Sequence, residues 1–221
     1  MFKTLSFKLL SVLSLVALLS ACAQPVKRPD YTAFKKSQPR SILVLPPLNE
    51  TSDVGATYGL LSQMTLPLAE SGYYVVPVAV MDETFKQNGL TNPAEIQETS
   101  PAKLREIFGA DAALYSKVSQ YGTVYRVLAS ATVVSASAKL VDLRTGDVLW
   151  QGRASASSDE GNNNGGGSLI GMLVVAAVKQ IANTLMDQSH DVAAYTSTRL
   201  LSAGPPNGLL YGPHSPKYGT D

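Results

Sequence analysis

The sequence predicts an α/β domain built on one mixed β-sheet with a long antiparallel hairpin and flanking helices, in two or three layers. Three observations predict it. Ser41-Ile42-Leu43-Val44-Leu45-Pro46-Pro47 is a continuous apolar run closed by two prolines, the pattern of a strand buried on both faces. A helical pattern and a second apolar run, Tyr73-Tyr74-Val75-Val76-Pro77-Val78, follow it. Strand, helix, strand in this order favours a parallel pair with a right-handed crossover. From Tyr125 the pattern changes to long two-residue alternation that enters a glycine turn and returns, which reads as an antiparallel hairpin.

Residues 1–21 read as a cleaved signal peptide. Lys3 and Lys8 precede the eleven-residue apolar run Leu9–Leu19, which has the length of a signal core and is too short to span a bilayer. Leu19-Ser20-Ala21-Cys22 resembles the bacterial lipoprotein box, and Cys22 is the only cysteine. The resemblance implies a diacylglyceryl group on the Cys22 sulfur, cleavage before it and a further acyl chain, such as palmitate, on the new amino terminus. Two or more chains make a stable anchor. Ala23 stands where an aspartate would signal inner-membrane retention, so the pattern resembles that of a lipoprotein sent to the outer membrane. Residues 22–40 hold three prolines, five basic residues and no apolar periodicity, and read as a lipidated tether.

The α/β domain is expected over residues 41–188. After the first strand comes a polar loop, Leu48 to Val54. A helix from Gly55 to Ser71 then buries Tyr58, Leu61, Met64 and Leu68, with Pro67 expected to kink or split it near Thr65. The second strand leads into a helix from about Val80 to Gln87. Ser100-Pro101 starts a helix whose buried stripe is Leu104, Ile107 and Phe108, stopped by Gly109. Asp111 to Tyr121 is a third strand. In the alternating stretch Val127, Ala129, Ala131 and Val133 share one face, while Val134, Ala136, Ala138 and Leu140 run out of step, which a bulge near Val133 would absorb. Leu143-Arg144-Thr145-Gly146-Asp147 is the turn. The return strand places Val148, Trp150, Ala154 and Ala156 inward, with Gln151, Arg153 and Ser155 outward.

A glycine- and asparagine-rich stretch, Ser157 to Gly167, precedes a helix from Ser168 to about Gln188. A glycine-rich loop entering a helix can cradle phosphate, but there is no Gly-Lys-Ser or Gly-Lys-Thr here, and the loop follows a hairpin strand. Leu169-Ile170-Gly171-Met172-Leu173-Val174-Val175-Ala176-Ala177-Val178 would be apolar on every helical face. Leu169, Ile170, Met172, Leu173, Val175 and Ala176 are therefore the candidate contact surface, with a homodimer or a cover by the carboxy-terminal tail as the two main readings and the membrane surface weakened as a third because no basic residue flanks the run before Lys179. Residues 189–221 read as a Pro/Gly-rich tail that cannot form a core alone.

Composition narrows the function. Removing 21 of 221 residues leaves 200, enough for one core-bearing domain. Losing Lys3 and Lys8 leaves 16 basic against 17 acidic residues, a net charge of −1, which argues against nucleic acid. The two histidines, His190 and His214, sit at a helix end and in the tail, with no nucleophile–base pairing legible. The acidic residues have no metal-ligand spacing, so no enzyme, cofactor or metal is expected.

Four segments together carry a wider resemblance: Ile42-Leu43-Val44-Leu45-Pro46-Pro47-Leu48-Asn49, Leu68-Ala69-Glu70-Ser71-Gly72-Tyr73-Tyr74-Val75, Asp111-Ala112-Ala113-Leu114-Tyr115, and Lys139 to Trp150 with its Val-Asp-x-x-Thr-Gly hairpin. They resemble a family of bacterial outer-membrane lipoproteins over most of residues 22–221. More distantly the chain is similar to the group of CsgG, LpoB and the TolB amino-terminal domain. The resemblance implies a small α/β domain and a non-enzymatic envelope component working through other envelope proteins, in secretion or transport, or alternatively an LpoB-like regulator of a peptidoglycan synthase. It implies an outer-membrane location, facing the periplasm or, alternatively, the cell surface.

Overall fold

The computed structural model describes residues 29–125, 130–160 and 188–221. The signal peptide, Cys22, the glycine-rich stretch and the run Leu169, Ile170, Met172, Leu173, Val175, Ala176 lie outside these residues. One open sheet organises the fold, in the order β3-β1-β4-β5-β6. Its strands are β1 (Ser41–Val44), β2 (Leu48–Asn49), β3 (Tyr74–Val75), β4 (Ala112–Tyr125), β5 (Ser130–Asp142) and β6 (Val148–Ser157). β1 is parallel to both neighbours, and β4, β5 and β6 are antiparallel. The expected mixed sheet with a long hairpin is the one observed.

Why β1 sits inside the sheet, between β3 and β4, is plain from its residues. Ile42, Leu43, Val44 and Leu45 are at most 1% exposed although alternate side chains face opposite sides, so both faces are covered there. Pro46 and Pro47 interrupt the ladder because proline has no N–H to donate. The expected loop after them nevertheless begins with β2, where Leu48 and Asn49 resume parallel pairing, now with Lys117 and Val118 of β4.

Six helices complete the described fold: α1 (Thr32–Ser37), α2 (Ala56–Glu70), α3 (Val78–Gln87), α4 (Pro93–Glu98), α5 (Pro101–Phe108) and α6 (Gln188–Leu201). From β1 the chain crosses through α2 to β3 on one side, then returns through α3, α4 and α5 to β4 on the other. Right-handed crossovers in opposite directions put their helices on opposite faces. α2 and α6 pack on each other, α2 over β1 to β4 and α6 over β4, β5 and β6, and Thr196 of α6 donates to the Val134 carbonyl. α3 contacts β1 and α5 contacts β4, with the Phe85 and Phe108 rings 5.4 Å apart. The result is three layers over β3-β1-β4 and two over β5-β6.

Several expectations are corrected. α2 runs unbroken because Pro67 falls in its last turn, where the Ser71 hydroxyl donates to the Pro67 carbonyl. Tyr58 is 48% exposed, its hydroxyl on Asp82, and Leu60 takes its place in the stripe. Ile107 is 42% exposed because α5 buries only Leu104 fully. The bulge is not at Val133. Register shifts instead fall between Val118 and Gln120 on β4 and between Leu140 and Val141 on β5, while Val133 and Val134 are both buried. The second shift turns Val148 out and Leu149 in, at 50% and 2% exposure. Trp150, Ala154 and Ala156 face inward as expected, and the turn pivots on Gly146 at φ +80°.

Residues 29–40 and 189–221 are more ordered than their composition suggests. The expected tether contains α1, whose Phe34 is buried in the core. The expected helix from Ser168 lies outside the described residues, and the start of the expected tail is helical instead: α6 covers Gln188–Leu201 and buries Val192, Ala193, Leu200 and Leu201. The tail beyond it then docks on the domain: Leu209 is fully buried, Tyr73 donates to the Leu210 carbonyl (2.5 Å), and Trp150 donates to the Asn207 carbonyl (3.0 Å). Its apolar residues find a core made by the rest of the chain, which composition alone cannot reveal.

Candidate functional site

Among the described residues the outer helical layer ends at β4 and leaves one face of β5 and β6 uncovered. A groove of about 670 Å³ lies there across β4, β5 and β6, walled by Leu48 of β2 and Gln97 of α4. The Gln97 amide donates to the Pro46 and Ser116 carbonyls (2.8 and 2.9 Å), which pins α4 to the sheet and makes that wall rigid. Strand register sets the floor in two rows: Lys117, Ser137 and Arg153 lie side by side, and so do Tyr115, Lys139 and Gln151.

Three cations therefore share this floor. Lys117 pairs with Glu50 at 2.9 Å, Lys139 lies 5.2 Å from the centre of the Tyr115 ring, and Arg153 has no carboxylate partner among the described residues. Burial pushes the Tyr115 phenol above its ordinary value, which keeps it protonated near neutral pH. Beyond the groove the same face continues polar, with Ser135 bonded to Gln120 and Ser155, each at 2.8 Å. Cations, hydroxyls and amides in this arrangement can hold an anionic, hydrogen-bonding chain. No group of three His, Cys, Asp or Glu able to hold a metal occurs among the described residues.

At another end of the domain the amino-terminal segment is clasped. Asp142, 2% exposed at its side chain, accepts from the Ser37 hydroxyl (2.5 Å) and the Arg144 guanidinium (3.0 Å), and Arg144 also donates to the Ser37 carbonyl (2.6 Å). Burial alone would raise the Asp142 carboxyl, but hydrogen bonds from the Arg144 side chain, Ser37, and the backbone of Arg144 and Thr145 outweigh it and hold it at about 2. Tyr31 donates to the Gly208 carbonyl (2.6 Å) and Lys35 to the Asp221 carbonyl (2.8 Å), so hairpin turn and tail grip α1 together.

Of the residues singled out in the sequence, Trp150 is in the core at 4% exposure, and His190 meets Gln63 at 2.6 Å between α6 and α2. Gln151 and Arg153 were legible as outward-facing. Tyr115 and Lys139 fall within segments that carry the family resemblance, but neither they nor Lys117 has a site role legible in the sequence. Their signal was the polar phase of the alternation, but only the inter-strand register brings them together.

Comparison with known proteins fits this architecture. The family described as "Putative lipoprotein GNA1162-like" matches residues 29–214, most of the chain. The chain belongs to the GNA1162-like lipoprotein family. It is 54% identical over 203 residues, covering 91% of this chain and 93% of the relative, to "Putative lipoprotein NMB1124/NMB1162" of Neisseria meningitidis serogroup B. The crystal structure of lipoprotein GNA1162 from Neisseria meningitidis is 56% identical, covers 66% of this chain and 100% of its own, and superposes with a TM-score of 0.54. The LpoB carboxy-terminal domain of Salmonella enterica is a looser likeness, 22% identical with a TM-score of 0.40 over 52% of this chain and 81% of that one, and nothing functional is carried over from it.

The region matched to the GNA1162-like family takes in α1, the whole sheet and the tail as far as His214, so the groove and, apart from Asp221, the clasp lie within it. The clasp fixes where the segment Tyr31–Ser37 enters the domain. No helix among the described residues is long and apolar enough to cross a membrane.

Proposed function

We propose that this lipoprotein is anchored in the outer membrane through Cys22, faces the periplasm, and acts as a non-enzymatic binding and assembly component of the cell envelope. The observation that carries the reading is the groove. It is a formed groove whose floor carries cations, hydroxyls and an amide, on a domain whose amino-terminal segment is gripped elsewhere, so anchoring leaves it open to a partner. Leu-Ser-Ala-Cys with Ala23 after it supports the anchor and the destination. The same proposal includes a homodimer through the apolar run around Met172, supported by sequence pattern alone.

A photo-crosslinking side chain placed at Gln151 in the groove, and at Glu83 on α3 as control, tests it in intact cells. Adducts with an envelope protein are expected from Gln151 and not from Glu83. Equal adducts from both, or none from Gln151, would remove the groove as the working surface. Recovery of a cell-wall synthase would select the regulator form of the reading.

A further inference from the structure

We propose that the groove receives an extended acidic segment of an envelope partner, with carboxylates at alternate positions. This rests on the reading of the protein as a binding component and names the chemistry of what it binds.

The argument starts from the spacing of the cations. Ser137 stands directly opposite both Lys117 and Arg153, and Lys139 lies two residues further along β5. Lys139 is thus the diagonal neighbour of each, and diagonal neighbours on antiparallel strands are about 7–8 Å apart. Alternate side chains of an extended chain repeat every ~6.6–6.8 Å. One carboxylate-bearing strand can therefore engage Lys139 and a flanking cation with successive same-side residues.

Charge balance points the same way. Against three cations the described groove offers the carboxylate of Glu50, held by Lys117, which leaves Lys139 and Arg153 uncompensated. Ser137, Gln151 and the Tyr115 phenol supply donors between the charges for a peptide backbone or polar side chains. The walls at Leu48 and Gln97 close one side, so the occupant must lie along the floor and be thin.

A second copy of this chain does not supply such a segment. Its 17 acidic residues include no pair separated by one position: Asp82-Glu83 and Asp159-Glu160 are adjacent, and the remainder are further apart. The occupant belongs to another protein.

The test uses the full mature chain in detergent and two fluorescent decapeptides of the same composition, one alternating Glu with Thr and Ser, the other with its glutamates in one block. Anisotropy at low salt should give preferential binding of the alternating peptide, weakening as salt rises. Lys139→Gln with Arg153→Gln should reduce it about tenfold or more, while the Trp150 emission maximum stays in place as a sign of an intact fold. Equal binding of both peptides, undiminished binding to the double variant, or displacement by millimolar phosphate or phosphatidylglycerol vesicles would overturn the proposal. Gln151 adducts in cells without peptide binding would overturn it while leaving the assembly reading in place, and loss of both would remove the two together.

Discussion

The indole of Trp150 lies across the α-carbon of Gly152, two residues further along the same strand. A Cβ at position 152 would come within 2.4 Å of Trp150 Cζ2 and 3.3 Å of Leu200 Cδ1. β6, α6 and, through the bond from Trp150 Nε1 to the Asn207 carbonyl, the tail are all fitted around this one side chain. Position 152 needs glycine for want of space rather than for backbone freedom.

Gly152→Ala should therefore destabilise the domain by about 1–3 kcal/mol through overpacking. Trp150→Ala should cost about 3–5 kcal/mol. The two should not add, because the ring that clashes is gone in the double variant. Urea midpoints of both singles and the double check this, and strictly additive losses would mean the ring moves aside without strain. As the only tryptophan, Trp150 also reports its own displacement in Gly152→Ala by a red-shifted emission.

Acid should loosen the clasp on α1. The Asp142 carboxyl titrates at about 2 in the folded chain, below the ~3.9 of an unfolded aspartate. Its contribution, on the order of 2 kcal/mol, is therefore fully present above pH 4 and lost as pH falls toward 2. Asp142→Asn should be less stable than the parent by that order at pH 7, with the gap closing between pH 4 and pH 2. A gap unchanged across that window would show that the ionised carboxylate contributes nothing.

The fold was legible where residues carry period and punctuation: the buried run of β1, the Ser100-to-Gly109 helix, and the Gly146 hairpin all stand where the pattern puts them. Edges were less so. α1 and the tail look like linker because their few apolar residues, Phe34 and Leu209, are buried by distant parts of the chain rather than by one another. The groove was half legible. Polar alternation marks Gln151 and Arg153, but Lys117 and Lys139 join them only through a register that the bulge after Val118 helps to set.

Replacing Cys22 with serine should abolish lipid attachment and leave the chain unprocessed or unanchored. Palmitate labelling of cells making Cys22→Ser measures it directly. Label at the parent level would remove the basis for the anchor at Cys22.

The proposed homodimer is checked by sedimentation of a soluble chain starting at Ala23, with and without Met172→Asp. The run Leu169 to Val178 would be apolar around its whole circumference as a helix, and one sheet can bury only one side of a helix. The tail was the competing cover, but its Leu209 is already fully buried, and Leu210 and Gly212 are bonded to Tyr73 and Ser71. Deleting residues beyond Gly204 should thus unfold or markedly destabilise the domain, because Leu209 leaves a cavity and the Trp150 N–H loses its acceptor. The parent should sediment as a dimer at micromolar concentration and Met172→Asp as a folded monomer. A parent that stays monomeric at about 100 μM, above the dissociation constants of ordinary stable dimers, would refute the dimer.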